Sequence, residues 1–166
     1  MSTDSTPSVG LVRVLLIEDD PAITFWIADT LKRLTKPVYQ LDCAECIVPG
    51  LRDLKADGYD AVLLDLNLPA ARGIEAIDYV RAAAPCTPIV VISGRDEDKA
   101  MHEHGMQVFL NKSDMIQDPF LLPASISSAI AMKSCIANAQ AAERISQEAS
   151  SVILDILGLT RKPVKT

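Results

Sequence analysis

The chain has no apolar run approaching the ~20 residues that a membrane-spanning helix requires. No membrane contact is therefore expected. Its first ten residues are small and polar, without the basic and apolar regions of a secretory signal. Residues 1–10 are expected to form a disordered tail, and the cytoplasm is the expected location. Basic residues are scarce: residues 1–118 hold 11 Lys and Arg against 19 Asp and Glu, a balance of −8. That argues against broad contact with phosphate backbones, which depends on Lys and Arg, so no direct nucleic-acid contact is expected. Residues 119–166 carry 5 against 3, with no basic cluster. Disulfide and zinc patterns are also missing, because Cys43-x-x-Cys46 has no second pair at metal spacing. The cysteines read as small apolar residues, with a redox role for that pair as the alternative. No internal repeat is visible. Aromatics make up only 4% of the chain, otherwise an ordinary globular composition for one domain with an appendage.

What is present is an alternation of short apolar strands and helices. Val12–Ile17 reads as a strand, followed by Asp20 as N-cap and Pro21 opening a helix with an apolar stripe at Ile23, Ile27, Thr30, Leu31 and Leu34. Val38–Cys43 is a second strand and Ile47–Ala56 a second helix. A third strand, Asp60–Asp65, is too short and too apolar for a helix. A helix from about Arg72 to Ala84 leads to a fourth strand, Pro88–Ile92. A short polar helix at about Asp96–His104 precedes a fifth strand, Gln107–Leu110. Five such strands alternating with helices predict an α/β fold: a doubly wound parallel sheet, order 2-1-3-4-5, flavodoxin-like, with helices on both faces.

In such a sheet the carboxyl ends of the strands share one edge, where ligands bind. Glu18 and Asp19 follow the first strand, Asp65 ends the third, Ser93 the fourth and Lys112 the fifth. With strands one and three adjacent, the three carboxylates converge. Their mutual repulsion suits a hard divalent cation, Mg²⁺ best of all. Asp65 is then placed to attack a phosphoryl donor, with the metal and Lys112 neutralising the phosphoryl oxygens and Ser93 bonding one of them. Each feature has a plainer explanation: an N-cap and a solvated turn, a Ser-Gly turn, a surface lysine. Four matched strand ends are harder to explain that way.

Residues 11–112 resemble the receiver domain of two-component response regulators. The resemblance rests on Leu15-Leu16-Ile17-Glu18-Asp19-Asp20-Pro21, on Asp65-Leu66-Asn67-Leu68-Pro69 with Gly73, on Val91-Ile92-Ser93-Gly94, and on Gly105 through Lys112. It implies that Asp65 is the phosphoacceptor and that Glu18, Asp19, Asp65 and the Asn67 backbone carbonyl hold Mg²⁺. Ser93 and Lys112 would contact the phosphoryl group, and Phe109 would change rotamer with the state. It also implies a histidine kinase or histidine phosphotransfer protein as donor. The chain would assist its own phosphorylation and dephosphorylation and would otherwise not be an enzyme. The switching face would comprise the fourth helix, fifth strand and fifth helix. Two features depart from the family: Ser113 stands where proline commonly follows the lysine, and a long loop is expected from Ser113 to about Leu122. The exposed Phe25 of the first helix is a candidate docking residue for the kinase-side partner. An aspartyl-nucleophile phosphatase would ordinarily need a second acid where Asn67 stands, and a degenerate adaptor would lack these site residues.

The fifth helix is expected from near Pro123. Ala131, Cys135, Asn138, Ala142, Ile145, Ala149, Val152, Ile156 and Leu159 follow at alternating spacings of four and three, a heptad seam. Gly158 and Pro163 should end it. The expected division is a receiver at 11–135 and a helical extension at 136–166, a coiled coil forming a homodimer. The alternative is a helix folded back on its own domain. Without a helix-turn-helix or catalytic motif, the tail's expected output is dimerisation or partner binding, unless an effector domain follows Thr166.

Overall fold

The computed structural model describes residues 10–34, 37–56, 58–94 and 108–156, apart from the side chains of 134–141 and 153–156. Strand β1 (Leu11–Ile17) leads to helix α1 (Pro21–Lys32), then β2 (Val38–Ala44), α2 (Ile47–Ala56) and β3 (Ala61–Asp65). Two very short strands, β4 (Asn67–Leu68) and β5 (Ala71–Arg72), precede α3 (Ile74–Ala83). After β6 (Ile89–Ser93) come β7 (Val108–Asn111), α4 (Lys112–Gln117) and α5 (Leu121–Ile156). The main sheet is five-stranded and parallel in the order β2-β1-β3-β6-β7. This is the expected 2-1-3-4-5 order, with β6 and β7 as its fourth and fifth strands.

The alternation of side chains along each strand divides the core into two layers. Leu15, Ile17, Val62, Leu64, Ile89 and Val91 face one way and pack with Ile47 and Leu54 of α2 and Ile77 and Val80 of α3. Val14, Leu16, Ala61, Leu63, Val90 and Ile92 face the other way, against Ile27 and Leu31 of α1 and Leu122, Ile126 and Ala129 of α5. Burial on both faces explains why these strands are apolar without interruption. Each fully buried Leu or Ile contributes roughly 2 kcal/mol relative to exposure.

Helix α1 begins as its sequence predicts: Asp20 accepts the Ala22 N–H at 2.8 Å and Pro21 takes the first position. Helix α2 sits unusually close to β1. A Cβ on Gly50 would meet Ile17 Cδ1 at 2.6 Å and Cγ1 at 2.9 Å, so only glycine lets the helix approach this far. Gly73, at φ 59° and ψ −130°, occupies a conformation essentially restricted to glycine. Its N–H donates to the Leu66 carbonyl at 2.9 Å, closing the β4–β5 hairpin just after Asp65.

At the amino end of the sheet Arg13 gathers a polar cluster. Its backbone N–H donates to Asp60 Oδ2 at 2.9 Å and its Nη1 to the Gly58 carbonyl at 3.2 Å. The guanidinium lies 3.7 Å from Asp42 Oδ2 and 5.1 Å from the centre of the Tyr59 ring. Tyr59 in turn donates its hydroxyl to Asp42 at 3.1 Å. An arginine inside an apolar strand is accommodated because its charged end reaches this rim.

Three expectations change. The stretch after Lys112 is not a plain loop: α4 occupies Lys112–Gln117, anchored by the fully buried Met115, and only Asp118–Phe120 connect it to α5. The β4–β5 hairpin replaces an open loop after Asp65, and α3 starts at Ile74, just past Gly73. The expected helix at 96–104, the tail at 1–9 and the stop at Gly158 and Pro163 lie outside the described residues.

The chain divides into two compact units after Ala131. In the second unit α5 stays helical to Ile156, with Ile145 67% and Val152 57% exposed. Ala142 and Ala149, on the same heptad seam, are exposed as well.

Candidate functional site

The register of the sheet brings the predicted groups to one edge. Ile17 pairs with Leu64, so Glu18 emerges beside Asp65; Asp65 pairs with Ile92, so Ser93 lies one residue beyond; Ser93 pairs with Asn111, which precedes Lys112. Glu18, Asp65 and Ser93 are buried polar side chains. Asp19 is exposed at the rim.

Lys112 ties the edge together. Its Nζ lies 2.8 Å from Glu18 Oε2 and 3.0 Å from Oε1, and 3.2 Å from Asp65 Oδ2. The Asp20 N–H also donates to Glu18 Oε1 at 3.2 Å, and the Glu18 backbone N–H donates to the Ala44 carbonyl at 3.0 Å, holding the residue at its carboxylate and its backbone. Burial and the neighbouring Asp65 charge push the Glu18 carboxyl above its ordinary value, against the opposing pull of Lys112. Burial pulls the Lys112 ammonium down, but its bonds and charge contacts with Glu18 and Asp65 outweigh this and raise it. Lys112 is therefore a fixed cation at neutral pH.

Among the described residues two buried carboxylate oxygens here lack a hydrogen-bond partner, and of these Glu18 Oε2 still has the Lys112 ion pair. Asp65 Oδ1 is buried and has no hydrogen-bond partner among the described residues, an expensive state for a carboxylate. Ligand oxygens of Glu18, Asp19 and Asp65 lie within 4.8 Å of one another. Oxygens around a small divalent cation stand ~3–4 Å apart, given metal–oxygen bonds of ~2.1 Å. Three carboxylates against one ammonium also leave negative charge uncompensated. The donor set, its spacing and the orphaned oxygen all fit a hard divalent cation.

Asn67, exposed, opens the β4–β5 hairpin two residues past Asp65. Phe109 is half-buried on β7 against the layer built on α2 and α3. Phe25 is 74% exposed on α1. Two contributors were not read from the sequence. Asn111 caps α4, and Met115 anchors it; an Asn directly before a polar helical turn was the available signal.

The receiver domain of response regulators matches residues 14–118, a span containing every one of these groups. The chain belongs to that family. The cell cycle transcriptional regulator CtrA of Caulobacter vibrioides is 43% identical over 86 residues, covering 52% of this chain and 36% of CtrA. This receiver chain thus matches about a third of the length of its curated relative. Among solved structures, a CheY-like receiver domain protein from Methanospirillum hungatei superimposes with a TM-score of 0.64 at 20% identity, over 75% of this chain and 98% of that one. The receiver domain of a sensor histidine kinase from Pseudomonas aeruginosa, with a magnesium ion in its active-site cleft, gives 0.56 at 24% identity over 71% and 99%. These similarities show the same fold.

Proposed function

We propose that the chain is a phosphoacceptor in a two-component phosphorelay. Asp65 attacks the phosphorus of a phosphohistidine on a histidine kinase or histidine phosphotransfer protein. The Asp65 O–P bond forms, the P–N bond breaks, and the imidazole leaves and takes up a proton. The observation that carries this reading is Asp65 itself: buried at a strand end, one oxygen held by Lys112 and the other without a partner. Lys112 holds charge on the incoming phosphoryl oxygens, and the Ser93 hydroxyl donates to one of them. Glu18, Asp19, Asp65 and the Asn67 carbonyl would hold Mg²⁺, which when bound would supply further neutralisation of those oxygens. The same residues support slow loss of the phosphoryl group to water, and the chain acts on no other substrate.

The acyl phosphate adds one to two negative charges and three strong acceptors. Ser93 moves toward them, Phe109 turns inward, and the face built on β7 and α5 changes. We assign residues 11–135 to the receiver and 136–166 to a helical extension that pairs with a second copy in the cytoplasm. The exposure of Ile145 and Val152 supports that pairing. Phe25, likewise exposed, suits contact with the donor.

Incubating the full chain with acetyl phosphate and Mg²⁺, then measuring intact mass, should show one added phosphoryl group that Asp65→Asn abolishes. An unmodified wild-type chain would overturn the reading. Sizing the chain with and without residues 136–166 should show a dimer that becomes a monomer; monomers in both would refute the pairing.

A further inference from the structure

Lys112 reaches two buried carboxylates from the first position of a helix only six residues long. So short a helix has little intrinsic stability, because nucleation costs are recovered only over longer segments. Four contacts among the described residues hold it. Asn111 Oδ1 accepts the Ser113 N–H at 2.8 Å, fastening the backbone on both sides of Lys112. Met115 is fully buried in the core layer on the α1 and α5 side. At the far end the Asp118 N–H donates to the Asp114 carbonyl at 2.9 Å, and Asp118 Oδ1 accepts the Phe120 N–H at 3.1 Å. Of these, only the Asn111 bond spans the lysine. It requires an N–H at position 113, which Ser113 supplies and a proline could not.

We infer that Asn111 is a positioning residue for the phosphoryl-transfer site, fixing the Lys112 backbone so that its ammonium stands between Glu18 and Asp65. This deepens the proposed function and rests on it. Asn111 touches neither carboxylate through any contact described above; it acts through Lys112. Losing the cap lets Lys112 leave its station part of the time. Phosphoryl transfer then slows, while the two carboxylates, relieved of their competing cation, bind a divalent metal at least as well as before. A role confined to stability would not separate those two quantities.

The test uses the full chain as wild type, Asn111→Ala and Asn111→Ser, the serine retaining a capping oxygen. Phosphorylation by acetyl phosphate is timed by intact mass at saturating Mg²⁺ and well below the melting temperature, and Mg²⁺ affinity is measured by calorimetry. Asn111→Ala should slow phosphorylation by up to about fivefold, the factor that a typical cap contribution allows. Its Mg²⁺ affinity should be unchanged or higher, and Asn111→Ser should recover the wild-type rate. An alanine variant as fast as wild type, one that loses rate and metal affinity together, or one that serine does not rescue would overturn the assignment while leaving the proposed function standing. A wild-type chain that takes no phosphoryl group would overturn both.

Discussion

Strand β1 carries a charged cluster at each end, and the two are built differently. At the amino end Arg13 is matched group by group: a carbonyl for one nitrogen, a carboxylate for another, an aromatic ring beneath the guanidinium. Its acidic partner is partly solvated, with 41% of the Asp42 side chain exposed. At the carboxyl end Lys112 meets two carboxylates that are 0% and 2% exposed, and Asp65 Oδ1 has no partner. The first cluster seals a rim. The second holds unbalanced negative charge away from water; burial and that charge raise the Glu18 carboxyl and favour an incoming cation. Unsatisfied bonding capacity separates the proposed reactive end of the strand from the structural one.

Removing the cation at each end should break that comparison most sharply. Lys112→Ala leaves Glu18 and Asp65 buried together without a counter-ion and should cost about 3 kcal/mol of stability without metal. Thermal melts with and without Mg²⁺ check this, and the metal should restore a large part of the loss. Phosphorylation should be severely slowed even where the variant is folded.

A pH series sharpens the same contrast. The Glu18 carboxyl is raised in the folded chain, so the folded state holds its proton more tightly than the unfolded one. Its contribution to stability is full below the ordinary carboxylate value and is lost as pH rises through the raised value. Mg²⁺ must displace that proton, so calorimetry should show affinity rising with pH across this window, with up to one proton released per ion. Lys112 behaves oppositely in position though not in sign. Its raised value gives stability that persists below the ordinary lysine value and disappears only as pH climbs through the folded one.

The smallest effect belongs to the amino end. Arg13→Met keeps the apolar stem and removes partly exposed polar contacts, for a loss of about 1 kcal/mol or less by urea denaturation. Its phosphorylation rate should match wild type. A large loss of rate here would show that the two ends are coupled through β1.

Much of this was readable because the signals were local. Uninterrupted apolar runs such as Ile89–Ile92, alternating with helices, fit strands buried on both faces of a parallel sheet, and polar residues at their ends then share an edge. What escaped depended on contacts between distant residues. Glu18 and Asp19 look equivalent in the sequence, yet Glu18 is buried against Lys112 and Asp19 is exposed. Helix α4 offers only Met115 to the core, so no amphipathic period announces it within the loop expected from Ser113 to about Leu122. The β4–β5 hairpin has two residues per strand, too few for alternation to register.

Gly50 carries no chemistry, yet it sets a tolerance for the site. Its bare Cα lets α2 press against Ile17, and Ile17 is the residue that hands the chain to Glu18. A single methyl at this point would push on the side chain immediately behind the acidic edge. Room for α2 beside the residue that precedes Glu18 is thus left by a missing atom on another element. Anyone resizing this site for a larger ion would have to consider the packing on the underside of the sheet as well as the carboxylates.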